Sequence, residues 1–155
     1  MEGTLMRPFQ ATVLPEWVDY NSHLTEGAYG RLFADATDDA LIELGFGPEY
    51  RAKTGGTFYT VETHIRFLQG VQEGALIRIE SQVLGVDVKR LHLWHVMRTT
   101  DVRDPVATQE SMLIHVDIAS GSVTAMGESI QRTAADQMMP VSPVGAGRSI
   151  ASLVH

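Results

Sequence analysis

At Gly55-Gly56 the hydrophobic pattern changes period, and that change restricts the fold more than any other feature of the chain. Before it, Tyr29, Leu32, Phe33, Ala36, Ala40, Leu41 and Leu44 recur at helical spacing and fall on one stripe. After it, four β-rich stretches run over about 57–69, 75–86, 88–100 and 105–118. Turn residues separate them: Gly70 with Glu73-Gly74, then Gly85 to Lys89, then Asp101 to Pro105. A shorter β-compatible segment, Pro8 to Leu14, precedes the helix and is closed by Pro15. One strand, one long helix and four consecutive antiparallel strands predict an α+β fold, a five-stranded sheet that curls around the helix, with the last four strands in a meander.

Local chemistry bounds the helix. Ser22 or Thr25 is the candidate N-cap, Glu26 complements the first turn, and Gly45, Gly47 and Pro48 stop the far end. Asp35, Asp38, Asp39 and Glu43 lie opposite the apolar stripe and read as solvated surface. In Leu91-His92-Leu93-Trp94-His95-Val96-Met97 the alternation is weak, so the outer sheet face is expected to be covered in part by another subunit. From about Ala119 the composition shifts to Ser, Gly, Thr and Pro, with a short helix around Glu128 to Met138. A chain of 155 residues suits one domain, over 1–118, with 119–155 as a C-terminal tail packing on it or extending from it.

Several chemistries are excluded or disfavoured. With no cysteine there is no disulfide, thiol nucleophile or Cys-based zinc site. No G-x-S-x-G elbow, phosphate loop or H-E-x-x-H helix occurs, and Gly145-Ala146-Gly147 is only a fragment of a dinucleotide motif. His92 and His95, three apart on a strand, point to opposite faces and make a poor metal pair, while His115 reads as a packing residue. No metal is expected. A net charge of -7 disfavours nucleic acid. The chain lacks a long apolar run, and MEGTLMRPFQ lacks the pattern of a signal peptide, so a cytoplasmic location without a membrane partner is expected.

The segment Trp17-Val18-Asp19-Tyr20-Asn21-Ser22-His23-Leu24-Thr25-Glu26-Gly27-Ala28-Tyr29 packs an acid, an imidazole and a second acid into the turn feeding the helix. A helix N-terminus offers unpaired N–H groups and partial positive charge, which hold a carboxylate ionised or polarise a carbonyl oxygen. From these residues alone, Asp19 and Glu26 serve equally well as caps of the helix dipole or as groups for acyl chemistry.

This stretch resembles the D-x-x-G-H-x-N-N-x-x-Y signature of hot-dog-fold thioesterases of the 4-hydroxybenzoyl-coenzyme A thioesterase type. Asp19, His23 and Tyr29 match it, Ser22 stands at the Gly, and Thr25-Glu26 replaces the Asn pair. The resemblance extends over roughly 8–118. Trp17-Val18-Asp19-Tyr20-Asn21, Tyr59-Thr60-Val61-Glu62-Thr63-His64-Ile65-Arg66, Lys89-Arg90-Leu91-His92 and His115-Val116-Asp117 are similar to the betainyl-CoA thioesterases of carnitine breakdown.

The resemblance implies hydrolysis of a small acyl-CoA, with betainyl-CoA as candidate substrate. Asp19 would attack the thioester or activate water, His23 would orient turn or water, and the peptide N–H near Glu26 would receive the oxyanion. Trp17, Tyr20, Tyr59 and Trp94 are aromatic candidates for a trimethylammonium group. Glu62 and His64 would complete the site between subunits, Lys89 and Arg90 would meet the CoA phosphates, and the assembly would be a homodimer or homotetramer. No cofactor is expected beyond the CoA of the substrate. Two other readings remain open: a non-catalytic acyl-CoA-binding protein, and a hot-dog dehydratase or hydratase.

Overall fold

A computed structural model of the chain describes residues 6–153. The element order is β1 (Phe9–Thr12), α1 (Glu26–Glu43), α2 (Pro48–Thr54), β2 (Gly56–Phe67), β3 (Leu76–Val86), β4 (Arg90–Thr99), β5 (Val102–Asp117), β6 (Ser122–Val123) and α3 (Glu128–Asp136). Thr25, not Ser22, caps α1: its Oγ1 accepts the Ala28 N–H at 3.4 Å. Ser22 instead sits in the preceding turn at a left-handed φ of 62°. Short α2 was not expected, because Gly47-Pro48 reads as a stop; Pro48 occupies the first turn of the new helix and Gly55, at φ 73°, ends it.

The sheet order is β1-β3-β4-β5-β2, with β6 beside β5. This corrects the expected meander. Strands β3, β4 and β5 follow one another, but β2 crosses over and pairs with β5 along its length. The turn residues after β2 mark a break in the strand without naming its partner. Residues 68–75 cross the helix head, where Leu68 and Gln69 N–H both donate to Val106 O and the Leu24 N–H donates to Val71 O. As a result β2 is a sheet edge, and β1 lies on β3 at the far side.

Helix α1 fills the concave face. Leu32 and Phe33, 1% and 0% exposed, pack on Ile77, Ile79, Met97 and Ala107, while Ala40 and Leu44 pack nearer Val83, Leu91 and Leu113. His95 also faces the helix, between Thr37 and Ser81. His92 points outward to Glu110, as its spacing from His95 requires.

The outer face is covered partly by the chain itself. Leu84, Trp94 and Val96 form a buried cluster with Ala146 against it. The Met139 N–H donates to Val83 O, and the Gly147 N–H reaches both Glu110 carboxylate oxygens at 2.9 and 3.0 Å. Met126, Ala134 and Ile150 are buried. Composition alone marked this segment as polar and Gly-rich, yet Met126, Ala134 and Ile150 pack while Val141 and Val144 stay exposed.

Candidate active site

The turn before α1 is built on its own backbone. The Ser22 N–H donates to Asp19 O and the Asp19 N–H to His23 O, while Asp19 Oδ1 accepts the Asn21 N–H at 2.8 Å and the His23 N–H at 3.3 Å. The left-handed Ser22 closes this turn. Its place in the signature is the glycine, the residue that adopts such a φ without steric cost. Two ties hold the turn against neighbouring chain: Thr25 N–H to Trp17 O, and an antiparallel bridge of His23 with Gln72 in which the Leu24 N–H donates to Val71 O.

Below the turn lies a cleft of about 370 Å³ lined by Leu24, Glu26, Tyr29, Phe67, Leu68, Gln69 and Gly70. Tyr29 and Phe67 meet edge to face, with centroids 5.1 Å apart and planes at 79°. The Tyr29 hydroxyl donates to Gln69 O at 3.2 Å, and burial raises its pKa. The His23 ring lies over Gly70, where a Cβ would sit 3.3 Å from it. Thr25 O accepts from Ala28 and Tyr29, leaving the N–H groups of Glu26 and Gly27 outside the helical ladder, with Glu26 itself in the cleft wall.

The expected site residues separate into groups. Glu26 lines the cleft and His23 stands against its rim. Asp19 is exposed and is not among the lining residues; its Oδ1 is held by its own turn. Trp17 packs half-buried on the core, and Tyr20 is 96% exposed. Tyr59, 53% exposed, lies on the edge strand β2.

Register places Glu62 opposite Met112 and His64 opposite Glu110, and these pair onward with His92 and Trp94. Cross-strand partners share a face. Glu62 and His64 are therefore on the outer face, away from the helix head, and Trp94 is buried there beneath the tail.

Lys89 and Arg90 fall at the β3–β4 turn. Arg90 is engaged by Asp87 at 2.6 Å. Partial burial works to raise the Asp87 pKa, but the Arg90 side chain and the Lys89 and Arg90 N–H groups together hold it below the usual range. Phe67, Leu68, Gln69 and Gly70 line the cleft and were missed. Gly70 carried a turn signal only, and the place of Phe67 opposite Tyr29 depends on the crossing of β2.

His115 Nδ1–H donates to Thr124 O at 2.9 Å and Nε2 hydrogen-bonds the Tyr50 hydroxyl at 2.8 Å, a satisfied packing position. Among the described residues no helix is long and apolar enough to cross a membrane.

A long helix embraced by a curled antiparallel sheet, with an acid-bearing turn at the helix head, defines the hot-dog class of thioesterases. The chain belongs to the thioesterase-like superfamily, whose family model matches residues 13–134. It is 36% identical over 153 residues to a betainyl-CoA thioesterase of Pseudomonas aeruginosa, covering 94% of each chain. It is 45% identical over 127 residues to an L-carnitine dehydrogenase/betainyl-CoA thioesterase of Agrobacterium fabrum, covering 82% of this chain. The match spans 26% of that relative's length. A Staphylococcus aureus protein solved in complex with CoA shares the fold, with a TM-score of 0.85, 24% identity and 97% of each chain covered.

Proposed function

We propose that this chain hydrolyses a short acyl-CoA thioester at the head of α1, with betainyl-CoA as its substrate. The observation that carries the reading is the pairing of two open first-turn N–H groups, Glu26 and Gly27, with the carboxylate-bearing turn that immediately precedes them. The thioester oxygen accepts from these N–H groups as charge moves onto it. Asp19 either attacks the carbonyl carbon, expelling CoA thiolate and leaving an anhydride that water opens, or takes a proton from the water that attacks. Two backbone N–H groups hold its Oδ1 and fix the carboxylate in the turn. A thiolate leaves without a strong general acid, so this chemistry requires no metal or further cofactor.

The working unit of this reading is a homodimer. Strand β2 is a free edge carrying exposed Tyr59, Val61 and Phe67, and pairing it with a second copy would wall the open cleft and cover Asp19. Lys89 is the better candidate for a CoA phosphate, since Arg90 is committed to Asp87.

Thiol release from betainyl-, aromatic and straight-chain acyl-CoA tests the reading, with Asp19→Asn expected to fold normally and lose activity by orders of magnitude. Near-normal turnover in that variant would remove Asp19 from the mechanism. The exposure of Asp19 in the protomer favours one second reading, an acyl-CoA binder without turnover, which saturable binding with no thiol release would select.

A further inference from the structure

We propose that Glu26, Tyr29 and Phe67 form the subsite that selects a quaternary ammonium acyl group. This assignment rests on the hydrolase reading above. In a trimethylammonioacetyl thioester one methylene joins the cationic nitrogen to the carbonyl carbon, so the two atoms are only about 2.5 Å apart. With the carbonyl oxygen on the first-turn N–H groups, the cation is confined to the first turn of α1. Trp94, buried on the outer face, cannot reach it.

Electrostatics then define what the subsite must supply. The positive end of the helix that receives an oxyanion also repels a cation placed beside it. Glu26, the first residue of α1 and part of the cleft wall, brings a negative charge to that position. Among the described residues no Lys or Arg lines the cleft. Tyr29 lies three residues further on the same helical face, and Phe67 stands nearly perpendicular to it at 5.1 Å. Tyr29, only 4% exposed, braces Phe67 edge to face, and the half-exposed Phe67 ring keeps a π-face open to a cation in the 370 Å³ cleft.

The test compares betainyl-CoA with its uncharged isostere 3,3-dimethylbutanoyl-CoA, in which carbon replaces the quaternary nitrogen. The readout is the ratio of kcat/KM for the two substrates, which a loss of structure alone does not move. Wild type is expected to favour the cation. In Glu26→Gln, which keeps the peptide N–H, the ratio is expected to fall about tenfold, and in Phe67→Leu about fivefold. A wild type without preference, or two variants that keep its ratio, overturn the assignment. Absence of thiol release from either substrate overturns hydrolysis itself, a separate result.

Discussion

His95 Nε2 lies 3.0 Å from the Thr37 hydroxyl, joining the middle of α1 to the centre of the sheet. Thr37 already donates to Phe33 O, so it accepts from His95 Nε2–H, and the unprotonated Nδ1 accepts the Ser81 hydroxyl at 2.7 Å. Every polar atom of this buried trio is used by the neutral imidazole. Full burial accordingly depresses the His95 pKa from 6.5 to about 4.

That depression makes stability pH-dependent with a definite sign. Above pH 6.5 folded and unfolded chains both hold a neutral His95, and its contribution is intact. As pH falls from 6.5 to about 4, the unfolded chain takes up a proton that the folded one refuses, costing about 3 kcal/mol. Urea unfolding at pH 7.5, 6 and 4.5 should trace this loss, and His95→Gln should flatten the slope while lowering stability throughout.

Ser22 adopts the left-handed φ of 62° that glycine holds without strain. Ser22→Gly is expected to raise stability by about 1 kcal/mol, and Ser22→Val to lower it by more, since a β-branched side chain tolerates this φ least. Thermal unfolding checks both. Because the same turn carries Asp19, the valine variant should also lose turnover.

Gly70 supports the His23 ring, with an added Cβ falling 3.3–3.4 Å from three of its atoms. Gly70→Ala should displace the ring by a few tenths of an ångström, leave stability within about 0.5 kcal/mol, and reduce thiol release severalfold. Equal turnover in wild type and variant would show that the placement of His23 is irrelevant to the reaction.

Glu110, wholly buried, accepts from His92 Nε2 at 2.7 Å and from the Gly147 N–H. Glu110→Ala strands both donors and should cost about 3 kcal/mol, with proteolytic cutting of residues 139–147 appearing under native conditions. Glu110→Gln retains an acceptor and should lose less. Resistance of the alanine variant to native-state cutting would mean that the tail is held by other contacts.

Much of the architecture was legible because it depends on near neighbours. The stripe from Tyr29 to Leu44 placed α1, and β-rich runs separated by Gly and Asp turns placed the long strands to within a few residues. Opposite faces for His92 and His95 followed from the period of a strand. The candidate site was legible only in its local half: turn, cap and helix head. Glu62 and His64 share a face, as their spacing demands, but which face depended on pairing with β5. Phe67 and Gly70 belong to the cleft only because residues 68–75 cross the helix head.

By itself, then, the amino-acid order determined the helix, the strands and the acid-bearing turn, since backbone propensity, capping and side-chain period act within a few residues. Tertiary structure decided the position of β2, the burial of Trp94 beneath Ala146 and the meeting of Tyr29 with Phe67. Those are contacts between segments distant in the chain, and local periodicity is satisfied equally well by several pairings. Only packing the whole sheet around α1 selects among them.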